Sequence, residues 1–111
     1  MKTCKLLREQ VAAATGSKKA ELVLKNAQIV NVFTQSVEIG DIAIEGGYIV
    51  GIGNYEGITE KDLGGAYVCP GFLDGHIHIE SSMTSPGEFE RAVVPHGTIA
   101  VITDPHEIAN V

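Results

Sequence analysis

The character of this chain changes at Pro70-Gly71, and that change limits the folds open to it. Before it, short β-branched runs are broken by paired glycines. Leu22-Val23-Leu24 is continuously apolar, and Ala27 to Phe33 adds Ile29, Val30, Val32 and Phe33. Asp41 to Glu45 and Tyr48 to Ile52 flank Gly46-Gly47, a hairpin signal because glycine supplies the positive φ of primed turns. Leu63, Gly64-Gly65 and Ala66 to Cys69 read as the same device repeated, so residues 21–69 are expected to form a meander of short antiparallel strands. Residues 3–14 read as a helix within an N-terminal segment, 1–20, whose Ser17-Lys18-Lys19 is a polar linker.

After the change, the pattern is strand, short helix, strand. Phe72 to Ile79 is almost wholly apolar, as suits a strand covered on both faces. Ser85-Pro86-Gly87-Glu88 combines an N-cap, a proline at the first helical position and a glutamate three residues past the cap. Pro95-His96-Gly97 stops that helix, and Thr98 to Thr103 reads as a second buried strand. Residues 70–111 are thus expected to hold a βαβ unit, parallel in nearly all known cases.

Length and composition narrow the function. The 111 residues are 44% apolar and 20% charged, enough for a core and too ordered in composition for a disordered chain. A net charge of −6, with pI near 5.0, argues against nucleic acid or an anionic membrane as partner. Cys4 and Cys69 are too few for a disulfide framework or a cysteine zinc site, which fits a reduced, cytoplasmic setting. Arg8-Glu9-Gln10 interrupts the N-terminal apolar residues, so a signal peptide is not expected, and no run reaches membrane-span length.

The chemistry concentrates in Asp74-Gly-His-Ile-His-Ile-Glu80. Side chains alternate along a strand, so His76, His78 and Glu80 are expected on one face with Ile77 and Ile79 on the other. Imidazole and carboxylate groups beside an apolar strand suit a divalent ion. Glu80 reads equally as a group of that metal site or as a cap for the following helix, and Asp74 as an orienting group or a turn residue. Parallel α/β sites form at the carboxyl ends of strands, so Asp104-Pro105-His106-Glu107, just past the second strand, is expected to share that rim. Ser81 and Ser82 have no base at a defined spacing, His96 reads as a structural group at a helix end, and Cys69 as an apolar filler.

Val68-Cys-Pro-Gly-Phe-Leu-Asp-Gly-His-Ile-His78 resembles the opening barrel strand of the amidohydrolase superfamily, whose His-x-His pair binds the catalytic metal. Within it, His76 to Met83, Val94 to Gly97 and Asp104 to Asn110 are similar to the adenine deaminase family, as are Glu21 to Ala27 and Gly40 to Glu45 upstream. The resemblance implies an α/β fold with an N-terminal antiparallel β-domain: part of a β-sandwich, then the first βαβ unit of a TIM-like (β/α)8 barrel. A whole barrel needs roughly 250 residues, so the chain is expected to be the N-terminal piece of an enzyme, inactive alone, with open strand edges that favour aggregation. The implied reaction is hydrolytic deamination of adenine to hypoxanthine and ammonia with a divalent ion, Mn, Fe or Zn. His76 and His78 would be metal ligands, and Glu80, Asp104, His106 and Glu107 would stand behind the ligands or contact substrate. A homo-oligomeric parent enzyme fits the resemblance, and the alternatives to the reaction are a remnant without activity and a cyclic-amide amidohydrolase.

Overall fold

The computed structural model describes residues 2–104, which divide into two compact units with the boundary between Cys69 and Pro70. The first unit begins with α1 (Lys2–Ala14), rich in Leu, Arg, Glu, Gln and Ala, all good helix formers. β1 (Ala20–Asn31), β2 (Ser36–Glu45), β3 (Tyr48–Gly53), β4 (Gly57–Asp62) and β5 (Tyr67–Val68) follow. The sheet order is β3-β2-β1-β4, with β5 also beside β1. Gly46 (φ 58°) and Gly47 (φ 81°) form the expected two-residue turn between β2 and β3.

The antiparallel expectation holds for β1, β2 and β3 and fails beyond them. β4 and β5 both run parallel to β1, so Gly64-Gly65 does not close a second hairpin. The two segments follow one another along one edge of β1, so the glycine pair links them without folding the chain back, and β1 is bulged where they meet. Its pairing with β2 shifts register between Leu24 and Ala27, with Asn26 at φ 57°. On the opposite edge the turn between β4 and β5 follows that bulge, with Leu63 N–H donating to Lys25 O and Gly65 N–H to Asn26 O, both at 2.9 Å.

The bulge also resets which face each residue takes. Without it, Ala27 and Ile29 would lie opposite Leu24; with it, they share a cluster with Ile42, flanked by Leu24, Ile44, Leu63 and Val68. A second cluster joins Ala13 of α1 to Ala20, Val23 and Ala43, with Val50 and Tyr55 packed against it. Small alanines at this contact let α1 approach the sheet closely. The sandwich part expected from the sequence is represented here by this one sheet.

The second unit is β6 (Phe72–Ile77), a 3-10 turn (Ile79–Ser82), α2 (Pro86–Val93), another 3-10 turn (Val94–His96) and β7 (Thr98–Thr103). β6 and β7 pair in parallel, so the βαβ unit is present. Ser85 is the N-cap of α2, its hydroxyl accepting from Glu88 N–H, with Pro86 at the first helical position. Gly97, at φ 96°, ends the second 3-10 turn in a conformation that a Cβ would strain. Burial departs from expectation. Phe72 (60%), Leu73 (71%), Ile99 (67%) and Ile102 (69%) are largely exposed, so neither strand is covered on both faces by the described residues.

Candidate functional site

β6 ends at Ile77, which corrects the expectation of three polar groups on one strand face. His76 lies on the strand, His78 just past it, and Glu80 inside the 3-10 turn that follows. Glu80 is no cap for α2, because Ser85 holds that position. Strand alternation therefore does not bring the three together; the turn does. A register shift between Asp74 and Ile77 accompanies the change, and Asp74 Oδ1 accepts from His76 N–H at 3.0 Å. Asp74 thus fixes the backbone on which the first histidine stands.

The imidazoles meet corner to corner. His76 Nε2 and His78 Nε2 are 3.1 Å apart, with ring centroids at 5.0 Å and planes inclined by 56°. His78 Nδ1 lies 3.0 Å from Glu80 Oε1, and the Glu80 side chain is only 10% exposed. A carboxylate accepts the Nδ1 proton of an imidazole, leaving the lone pair at Nε2. His78 therefore turns Nε2 toward His76.

This pair fits a shared divalent ion. An ion bonded to imidazole nitrogens at about 2.0–2.1 Å holds two adjacent donors roughly 3.0–3.4 Å apart, which brackets the observed separation. Among the described residues, no group of three or more His, Cys, Asp or Glu side chains is arranged to hold an ion. The two histidines are a pair of imidazole donors, and no third donor is placed with them among the described residues. Asp104 immediately follows β7, the strand beside β6, and is exposed. His106 and Glu107 lie outside the described residues.

Displaced pKa values often mark functional sites, yet here they lie in the first unit and have a structural cause. Burial would raise the Asp41 carboxyl, but donors from Lys25 Nζ, Asn26 N–H and Tyr55 N–H outweigh it and hold the group below its ordinary value. The Asp41 hydrogen bond in turn raises Lys25. Glu45 is lowered chiefly by its bond to Lys18 Nζ, at 2.9 Å, which also contacts Glu9. Both carboxylates serve the bulge and the seat of α1. A cleft of about 520 Å³ lined by Lys18, Lys19, Tyr55 and Glu56 also belongs to this unit, not to the one bearing the histidines.

Reading by sequence missed the hydroxyls of Ser82 and Thr84, which are 2.7 Å apart just beyond Glu80. The available signal was a Ser-x-Thr spacing in a turn, where such side chains bond locally.

Known proteins resemble this chain along nearly its whole length. The amidohydrolase family model matches residues 67–111. Adenine deaminase 2 of Carboxydothermus hydrogenoformans is 59% identical over 107 residues, covering 96% of this chain and 19% of that protein. Adenine deaminase of Geobacillus kaustophilus is 59% identical over 105 residues, covering 95% and 18%. Adenine deaminase of Listeria monocytogenes is 50% identical over 113 residues, covering 100% and 19%. This chain therefore spans about a fifth of the length of these relatives. Among solved structures, the L-hydantoinase (dihydropyrimidinase) from Arthrobacter aurescens matches 78% of this chain and 21% of its own, with TM-score 0.60 and 21% identity. That likeness concerns the fold alone. None of the described helices is long and apolar enough to cross a membrane.

Proposed function

We propose that this chain, which belongs to the amidohydrolase superfamily, contributes two metal-binding histidines to an enzyme that hydrolyses adenine to hypoxanthine and ammonia. The observation that carries the metal reading is the 3.1 Å approach of His76 Nε2 to His78 Nε2. The adenine reading is supported by the named relatives, each matched along nearly the whole of this chain.

In this reading His76 and His78 each present an Nε2 lone pair to one divalent ion, and imidazole donors suit manganese, iron or zinc. When bound, the ion supplies the acidity that makes water a nucleophile near neutral pH. Glu80 accepts the Nδ1 proton of His78 and so fixes which nitrogen faces the ion. Asp74 sets the backbone at His76. The reaction forms one C–O bond at C6 of the purine and breaks its C–N bond to the amino group, which leaves as ammonia. Asp104, His106 and Glu107 follow the neighbouring strand and are proposed to stand behind the ligands or to contact the base. The setting is proposed to be cytoplasmic.

The test is metal content and ammonia release from adenine in the full-length protein carrying His76→Ala or His78→Ala. Both variants are expected to lose bound metal and adenine turnover together. Full turnover with either imidazole removed would sink the reading. The 111-residue chain by itself is expected to bind metal weakly and release no ammonia.

A further inference from the structure

The turn between β6 and α2 carries more internal bonding than a connector needs, and its bonds point back to His78. Ser82 Oγ donates to Ile79 O at 2.5 Å, and a hydroxyl has one proton, so the 2.7 Å contact with Thr84 must be donated by Thr84 Oγ1. Ile79 is buried, which anchors the turn in its unit. Ser81 N–H donates to His78 O at 3.1 Å and Met83 N–H to Glu80 O at 3.0 Å. Met83 holds φ 58° and ψ 23°, a conformation a methionine adopts only when its surroundings over-determine it. The hydroxyl contact between Ser82 and Thr84 spans Met83. Within the turn sits Glu80, its Oε1 on His78 Nδ1.

We propose that Ser82 is a positioning residue: its hydroxyl, braced by Thr84, locks the 79–82 turn so that Glu80 holds His78 with Nε2 presented to the metal. Ser82 touches neither ion nor substrate. It acts through the backbone at Ile79, then through the carboxylate of Glu80. With Nδ1–H given to Glu80, His78 keeps its lone pair at Nε2; without an ion that lone pair accepts from His76 Nε2–H, and a bound ion requires His76 in its other tautomer. This proposal rests on the metal reading only for its consequence, since the tautomer of His78 is defined with or without an ion.

The test compares Ser82→Ala and Ser82→Thr in the full-length protein, labelled with 15N-histidine, by long-range 1H–15N correlation of the imidazoles at about pH 8, above the ordinary histidine value near 6.5. Zn2+ affinity is measured in parallel by chelator competition. The starting chain and Ser82→Thr are expected to show His78 protonated at Nδ1. Ser82→Ala is expected to mix the two tautomers and to weaken Zn2+ binding about tenfold, the usual effect of losing a group behind a ligand. An unchanged His78 tautomer in a folded Ser82→Ala chain overturns the proposal. Should that variant unfold, Thr84→Val removes the brace but keeps the Ser82 bond; a smaller shift of the same sign supports the proposal, and no shift overturns it. If the tautomer shifts while no variant binds Zn2+, the metal reading fails and the positioning role stands.

Discussion

The two units use their apolar residues in opposite ways. In the first, Ala13, Ala20, Val23, Ala27, Ile29, Ile42 and Ala43 are buried, and both buried carboxylates, Asp41 and Glu45, have charged partners. In the second, Ile79 is the one buried apolar residue among those described, while Phe72, Leu73, Ile99 and Ile102 face outward. Yet the candidate chemistry lies entirely in the second. The contrast separates two uses of an apolar strand: one completes its own core, the other holds side chains at its end and leaves its flanks open.

The hardest way to break this contrast is to charge the first core. Val23 is fully buried, so Val23→Asp is expected to cost at least about 4 kcal/mol and to unfold the first unit, read by denaturant titration of circular dichroism. Survival with an unchanged midpoint would mean the sheet tolerates a charge and the core assignment is wrong.

Next in size is Asp41→Asn, expected to cost about 2 kcal/mol because Lys25 loses its partner and the Asn26 and Tyr55 amides lose a charged acceptor. Its pH signature is specific. Asp41 and Glu45 are held below their ordinary values, so their stabilisation is complete above the unfolded values, about 3.9 and 4.3, and disappears as pH falls through the lower folded ones. Lys25 and Lys18 are raised, so their share is complete below about 10.4 and is lost as pH rises through the higher folded values. Unfolding midpoints across pH should show both limbs, and Asp41→Asn should flatten the acid one. An acid limb equally steep in the variant would remove Asp41 from the account.

Two smaller effects sharpen the other side. Ser85→Ala removes the cap of α2, whose bond is long at 3.4 Å, so a loss of about 0.5–1 kcal/mol is expected in thermal unfolding. Ile102→Thr should change stability by no more than about 0.5 kcal/mol, since the side chain is already exposed. A loss of several times that amount would show that Ile102 is covered in solution.

Local features were legible in the sequence because local chemistry sets them. Gly46-Gly47 had to turn, Ser85-Pro86 had to begin a helix, and the histidine spacing announced a paired site. What escaped was decided at a distance. Nothing in Lys25-Asn26 advertises a bulge, yet that bulge lies where β4 gives way to β5 along β1 and re-aims Ala27 and Ile29. Apolarity marked β6 and β7 correctly as strands, but a run of isoleucines states what can be buried, not what covers it. The candidate site was half legible for a similar reason. His76 and His78 follow from spacing, whereas Glu80 reaches His78 by a 3-10 turn that strand alternation cannot anticipate.

β1 accepts β2 along one edge and β4 with β5 along the other, which has a kinetic consequence. The β2–β3 hairpin closes over a two-residue turn and can form early, and β1 joins it through the short connection at residues 32–35. The far edge must instead be captured across a long loop: Gln28 bonds Gly65 at a separation of 37 residues. Closing a loop of that length costs more entropy than forming the hairpin, so β4 and β5 should dock late, after a rate-limiting barrier set by β1, β2 and β3. Weakening them would then speed unfolding and leave the folding rate nearly unchanged.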